Sequence, residues 1–113
     1  MTKFLISFPA AAMQIPADEL PAVSDATRAV VRDAKAAGVW VFGGALDETV
    51  PPVLVGADRA VTEGSYPQTA TLDGGYCILE LPDRDAALHW AARFAASCRC
   101  AQELRAFHFD PES

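Results

Sequence analysis

Apolar and polar positions alternate weakly over residues 3–8, with Phe4, Ile6 and Phe8 on one side and Leu5 and Ser7 on the other. That pattern predicts a first strand. Pro9 ends it, because proline cannot donate to a ladder. Residues 10–17 read as a connection. Over residues 20–37 the period lengthens: Val23, Thr27, Val30, Ala34 and Ala37 recur at helical spacing, with Val31 beside them. Pro21 fits only the first turn of that helix, and Ser24-Asp25 offers a competing start. Residues 39–42 are β-rich, and Gly43-Gly44 then marks either a bulge or a close approach of backbone to a ligand. Residues 47–52 form a loop, and residues 53–55 and 59–62 make a short hairpin about Gly56-Ala57-Asp58. The stretch 63–75 is rich in turn residues and has little period; connections of that length are usually functional or disordered. Residues 76–81 form the clearest strand, with Tyr76, Ile78 and Glu80 facing one way and Cys77, Leu79 and Leu81 the other. Asp83 caps a helix over 84–96 with an apolar stripe of Ala87, Leu88, Ala91, Phe94 and Ala95, Trp90 lying at its edge. A last strand over 104–109 places Leu104, Ala106 and His108 on one face and Arg105 on the other, and Asp110-Pro111 ends it.

Without the hairpin, the order is β-α-β-β-α-β: one α+β domain spanning residues 1–113, a ferredoxin-like plait with an inserted short hairpin. Both helices then lie on one face of a largely antiparallel sheet. The other face is uncovered, yet the strands at 3–8, 39–42 and 76–81 carry apolar side chains on both sides. A second copy facing it, at the ~800 Å² per partner of an ordinary interface, would close the surface as a two-fold homodimer. In a monomer, residues 63–75 would have to fold over the same face.

The chain has 113 residues, 51% of them hydrophobic and 21% charged, enough for one domain with its own core and against wholesale disorder. Nine Lys and Arg against fifteen Asp and Glu leave a charge of -6, which disfavours a nucleic-acid partner. No apolar run reaches the ~20 residues of a membrane span. Ser7 and Pro9 interrupt the run that follows Lys3, so the start reads as a strand and not a signal peptide, and the expected location is cytoplasmic. An odd count of three cysteines agrees with that. Cys98 and Cys100 are spaced C-x-C, unlike a C-x-x-C redox pair; with only His89 and His108 to help, the sequence barely has the ligands of a closed zinc site, and the two cysteines read as structural or incidental. No metal and no cofactor is expected: the glycine pairs lack a phosphate-binding pattern, and no serine triad is present.

Four residues are candidates for a site. Glu63, where a strand enters the long loop, suits a general base if its pocket is apolar, and is otherwise a solvated carboxylate. Ser65 and Tyr66 suit the orientation of a small ligand, or Tyr66 anchors the loop on the core. His108 titrates near neutrality and suits proton transfer, or is a structural strand residue. Arg105 can hold a carboxylate or pair with Glu103, and its face excludes it from a pocket shared with His108. His89, in the row Asp85, His89, Arg93, belongs to a solvated helix face, and Trp40 to core or interface.

The loop, second helix and last strand together resemble the YCII-related family, in particular its DGPF branch. Glu63-Gly64-Ser65-Tyr66 stands where that branch has Asp-Gly-Pro-Phe, and Gly74-Gly75-Tyr76 follows at the family's spacing. The helix reads Asp85-Ala86-Ala87-Leu88-His89-Trp90-Ala91-Ala92, and Glu103-Leu104-Arg105-Ala106 stands where the family has Glu-Val-Arg-Pro. Residues 39–109 carry the resemblance, and the N-terminal third fits in element order. The resemblance implies a dimeric α+β barrel, a pocket near the 63–75 loop, and a largely unassigned function with enzymatic activity suspected. The loop's acid, lysine and acid positions are here Gln68, Ala70 and Thr71, and no early histidine matches the histidine and aspartate pair of the small-form enzymes. Three functions stay open: a small-molecule enzyme with acid/base chemistry by Glu63 and His108 in a cleft near loop 63–75, a non-catalytic ligand-binding or accessory dimer, and a structural module whose loop docks on another protein.

Overall fold

The structure, a computed structural model, describes residues 1–113. Strand β1 (Thr2–Phe8) leads through two short 3-10 turns into helix α1 (Leu20–Ala36) and strand β2 (Trp40–Ala45). A hairpin of β3 (Val53–Val55) and β4 (Val61–Glu63) follows, then β5 (Gly75–Leu81), α2 (Arg84–Cys98) and β6 (Glu103–Ala106). The main sheet has the order β2-β5-β1-β6, with every neighbouring pair antiparallel. The chain crosses from β1 over β5 to reach β2, which is the split β-α-β connection of a ferredoxin-like α+β fold.

Local chemistry explains the boundaries. Pro21 sits in the first turn of α1, and the competing start at Ser24 is not used. Asp83 caps α2 by accepting from the Ala86 N–H at 2.8 Å. That helix runs on past Ala96 to Cys98, and left-handed Arg99 stops it. Leu88 lies exposed, so the apolar stripe of α2 is Ala87, Ala91, Phe94 and Cys98. Strand β2 continues through both glycines, and its register shift falls earlier, between Trp40 and Phe42. Gly43 leaves room for protein and not for a ligand: a Cβ there would lie 2.5 Å from the Trp40 indole and 2.9 Å from Cys77 Cβ.

The core lies between the helices and one sheet face: Phe4, Ile6, Cys77, Leu79 and Leu81 meet Val30, Ala34, Ala87, Ala91 and Phe94. The opposite face carries Lys3, Leu5, Ser7, Phe42, Tyr76, Ile78, Glu80, Glu103 and Arg105 in register. Loop 63–75 does not cover it. Only the C-terminal tail, residues 107–113, bends over one end, where Phe107 N–H donates to the Lys3 carbonyl and Lys3 Nζ donates to the Ser113 carbonyl. The hairpin stands away from the sheet as an arm.

The exposed surface measures this openness. The chain exposes 7905 Å², against roughly 6,000 Å² for a compact monomer of its 12.0 kDa mass. Its radius of gyration is 15.8 Å, where about 13 Å is usual for this length.

Candidate functional site

The sequence-derived candidates fall at two ends of the sheet. The arm leaves the end formed by Ala45 and Gly75. Its ladder pairs Val53 with Glu63 and Val55 with Val61, so one arm face carries these four side chains, all exposed. Glu63 ends β4, and the next residue's N–H donates to the Pro52 carbonyl at 3.0 Å. Ser65 turns its hydroxyl to the Tyr66 carbonyl at 3.1 Å. Tyr66 is 66% exposed and opens a 3-10 turn, so its ring does not anchor the loop on the core.

The far root of the loop is held rigidly. The Asp73 carboxylate accepts from the Ala10 N–H at 3.0 Å, and Gly74 has φ +86. A Cβ at Gly74 would lie 2.0 Å from the Phe8 carbonyl oxygen, so only glycine fits this corner. Tyr76 follows on the open face. Burial raises its phenol above the ordinary range, and the charges of Asp73 and Glu103 push the same way.

A cleft of about 700 Å³ lies at the opposite end, between the open sheet face and the tail. Its walls are Val41, Ile78, Phe107 and Phe109; its polar groups include Lys3, Glu80, His108 and Asp110. Lys3 and Glu80 are direct cross-strand partners and form an ion pair at 3.4 Å. From Gly75 to Glu80 is five steps along β5, roughly 17 Å at ~3.3 Å per residue. His108 lines this cleft and Glu63 does not.

His108 reaches the cleft because β6 is shorter than the spacing predicts. The strand ends at Ala106, and the tail beyond it crosses to the open face. The expected placement of His108 beside Leu104 and Ala106 is thus overturned: those two stay in helix-side register with Ile6 and Phe4, and His108 does not. Arg105 pairs with Glu103 at 2.7 Å and does not line the cleft. Lys3 and Glu80 were not singled out in the sequence. The available signal was a single charge on each of two mostly apolar strands.

Neither Cys77 nor Cys100 is an activated thiol. Burial pushes Cys77 up to about 12, with Cys98 adding to the shift, and burial raises Cys100 as well. Cys98 packs beside Thr27, whose hydroxyl lies 3.5 Å from its sulfur. No group of three or more His, Cys, Asp or Glu side chains is arranged to hold a metal ion. No helix is long and apolar enough to cross a membrane.

Two helices on one face of an antiparallel β2-β5-β1-β6 sheet, with a cleft on the other, define a small ferredoxin-like α+β domain. The model of the YCII-related domain matches residues 4–97, and the chain belongs to the YCII-related family. No curated protein matches it.

Proposed function

We propose that this YCII-related domain is a homodimer that binds a small molecule in the cleft over its open sheet face. One observation carries the reading: apolar walls and a Lys3–Glu80 ion pair converge on about 700 Å³ of space, within the size range of small-ligand sites. The ion pair offers a donor and an acceptor side by side, which suits a ligand carrying both. Binding is favoured over catalysis because Glu63, the carboxylate expected to act with His108, does not line the cleft. The acid/base enzyme remains the second reading, favoured by His108 itself, which lines the same cleft as Glu80. Membership of the DGPF branch, supported by the Glu63-Gly64-Ser65-Tyr66 run, and a cytoplasmic location, supported by three free cysteines, belong to this proposal.

Isotope-labelled protein titrated with a library of small polar molecules tests it. Amide shifts are expected to concentrate at Lys3, Ile78, Glu80 and residues 107–110, and Lys3→Met should weaken the best binder about tenfold. Shifts confined to other surfaces would overturn the cleft as the site. Turnover of a binder that Glu63→Gln and His108→Ala both abolish would favour the enzyme.

A further inference from the structure

We infer that the site is composite, with the β3–β4 arm of a second copy lying across the cleft of the first, so that Glu63 and Tyr66 close it in trans beside His108. This inference rests on the dimer proposed above. The occupant follows from area. The single chain exposes about 1,900 Å² more than a compact monomer of its mass, while a stable dimer needs ~800 Å² from each partner. Exposed apolar side chains gather at two places. On the arm, Val53, Val55 and Val61 share one exposed face of a hairpin with three-residue strands, too small to hold its shape without a surface to pack on. At the cleft, Phe107 and Phe109 are exposed, the latter by 79%, and Phe42 of the sheet is exposed by 66%.

Any in-plane two-fold axis stacks one open face on another, and axes along and across the strands are the two limiting cases. An axis along the strands sets arm root against arm root. Those roots carry Asp47, Glu48, Glu63 and Asp73, so like charges would meet, and with tail set on tail Phe107 and Phe109 would be out of reach of the arm valines. An axis across the strands reverses their direction and lays each arm on the opposite copy's cleft. The arm valines then meet Phe107 and Phe109, and both unpartnered apolar groups are covered at once. Asp110 also stands at the cleft, so apolar area and not charge carries this contact. The same rotation brings Glu63 to the cleft that His108 lines.

Disulfide trapping tests the inference. Tyr66→Cys and Phe109→Cys are made singly and together in the full chain, with Cys100→Ser to remove the one cysteine that is not buried. Both sites are exposed, and circular dichroism checks that each variant folds. With oxidised glutathione, the double variant should give at least tenfold more covalent dimer than either single variant. Mixed-label samples should show intermolecular contacts between arm valine methyls and the Phe107 and Phe109 rings. Covalent dimers from Tyr66→Cys alone would place arm against arm and overturn the trans site while leaving the dimer standing. Neither cross-links nor such contacts in a protein of dimer mass would do the same. A monomer mass would remove the dimer and the trans site together.

Discussion

At the scale of single residues, the tightest constraint is Gly74. Its positive φ and the Phe8 carbonyl oxygen 2.0 Å from any Cβ combine backbone strain with a clash against main chain. Each is worth roughly 1–3 kcal/mol, so Gly74→Ala should lower stability by about 3 kcal/mol in chemical denaturation, while Gly44→Ala, with open space around it, should cost far less. Cys77 makes a second prediction. Its thiol titrates near 12 in the folded protein against 9.0 unfolded. Below pH 9 both states hold the proton and the stability is complete; from 9 to about 12 the unfolded chain alone ionises, and stability falls by at most about 1.4 kcal/mol per pH unit. Denaturation midpoints of Cys77→Ala should lack that share of the alkaline loss, and thiol reagents at pH 8 should leave native Cys77 unlabelled. Residue-scale signals that act locally were legible in the sequence: Asp83 as a cap, Pro21 as a first-turn residue and Pro9 as a strand end all hold. Gly43 was legible as a close approach, but whether ligand or indole approached depended on where Trp40 points, which no neighbouring residue encodes.

At the scale of elements, alternation and helical period identified the strands, both helices and the hairpin because each pattern reports its own burial. Two strands were misplaced: the second hairpin strand, expected over residues 59–62, forms over Val61–Glu63 because Arg59 takes a positive φ in the turn, and β6 ends early. Leu104, Ala106 and His108 continue the alternation, yet the ladder stops at Ala106 and the tail crosses the sheet to Lys3. That outcome depends on contacts a hundred residues away, beyond the reach of local pattern. The arm is the element whose sequence suits a surface the chain itself does not supply. Val55→Asp with Val61→Asp should therefore shift the protein from dimer to monomer in sedimentation velocity. The far-ultraviolet spectrum should remain, because the buried core contains neither residue. Arg93 bridges the helices to Asp33 and stacks on Trp90, but its partners are half-exposed, so Arg93→Ala should cost at most about 1 kcal/mol by thermal melting.

At the scale of the whole molecule, the plait and the bare second face were both readable from element order and from apolar residues on both sides of three strands. Family membership was readable from four short motifs over residues 39–109, while the family model spans residues 4–97. The N-terminal third thus belongs to the matched domain, although only its element order signalled this. The site was less legible. Glu63, Ser65 and Tyr66 stand in a loop whose length and motif point to function, and His108 is a candidate by its chemistry; of the four only His108 lines the cleft. Only 13 of the 113 residues are buried, as expected when the helices cover one sheet face and nothing covers the other. The central claim is that a second copy supplies that cover. Sedimentation equilibrium at micromolar concentration weighs it directly: the account predicts a single species of twice 12.0 kDa, and a stable species of 12.0 kDa would contradict it.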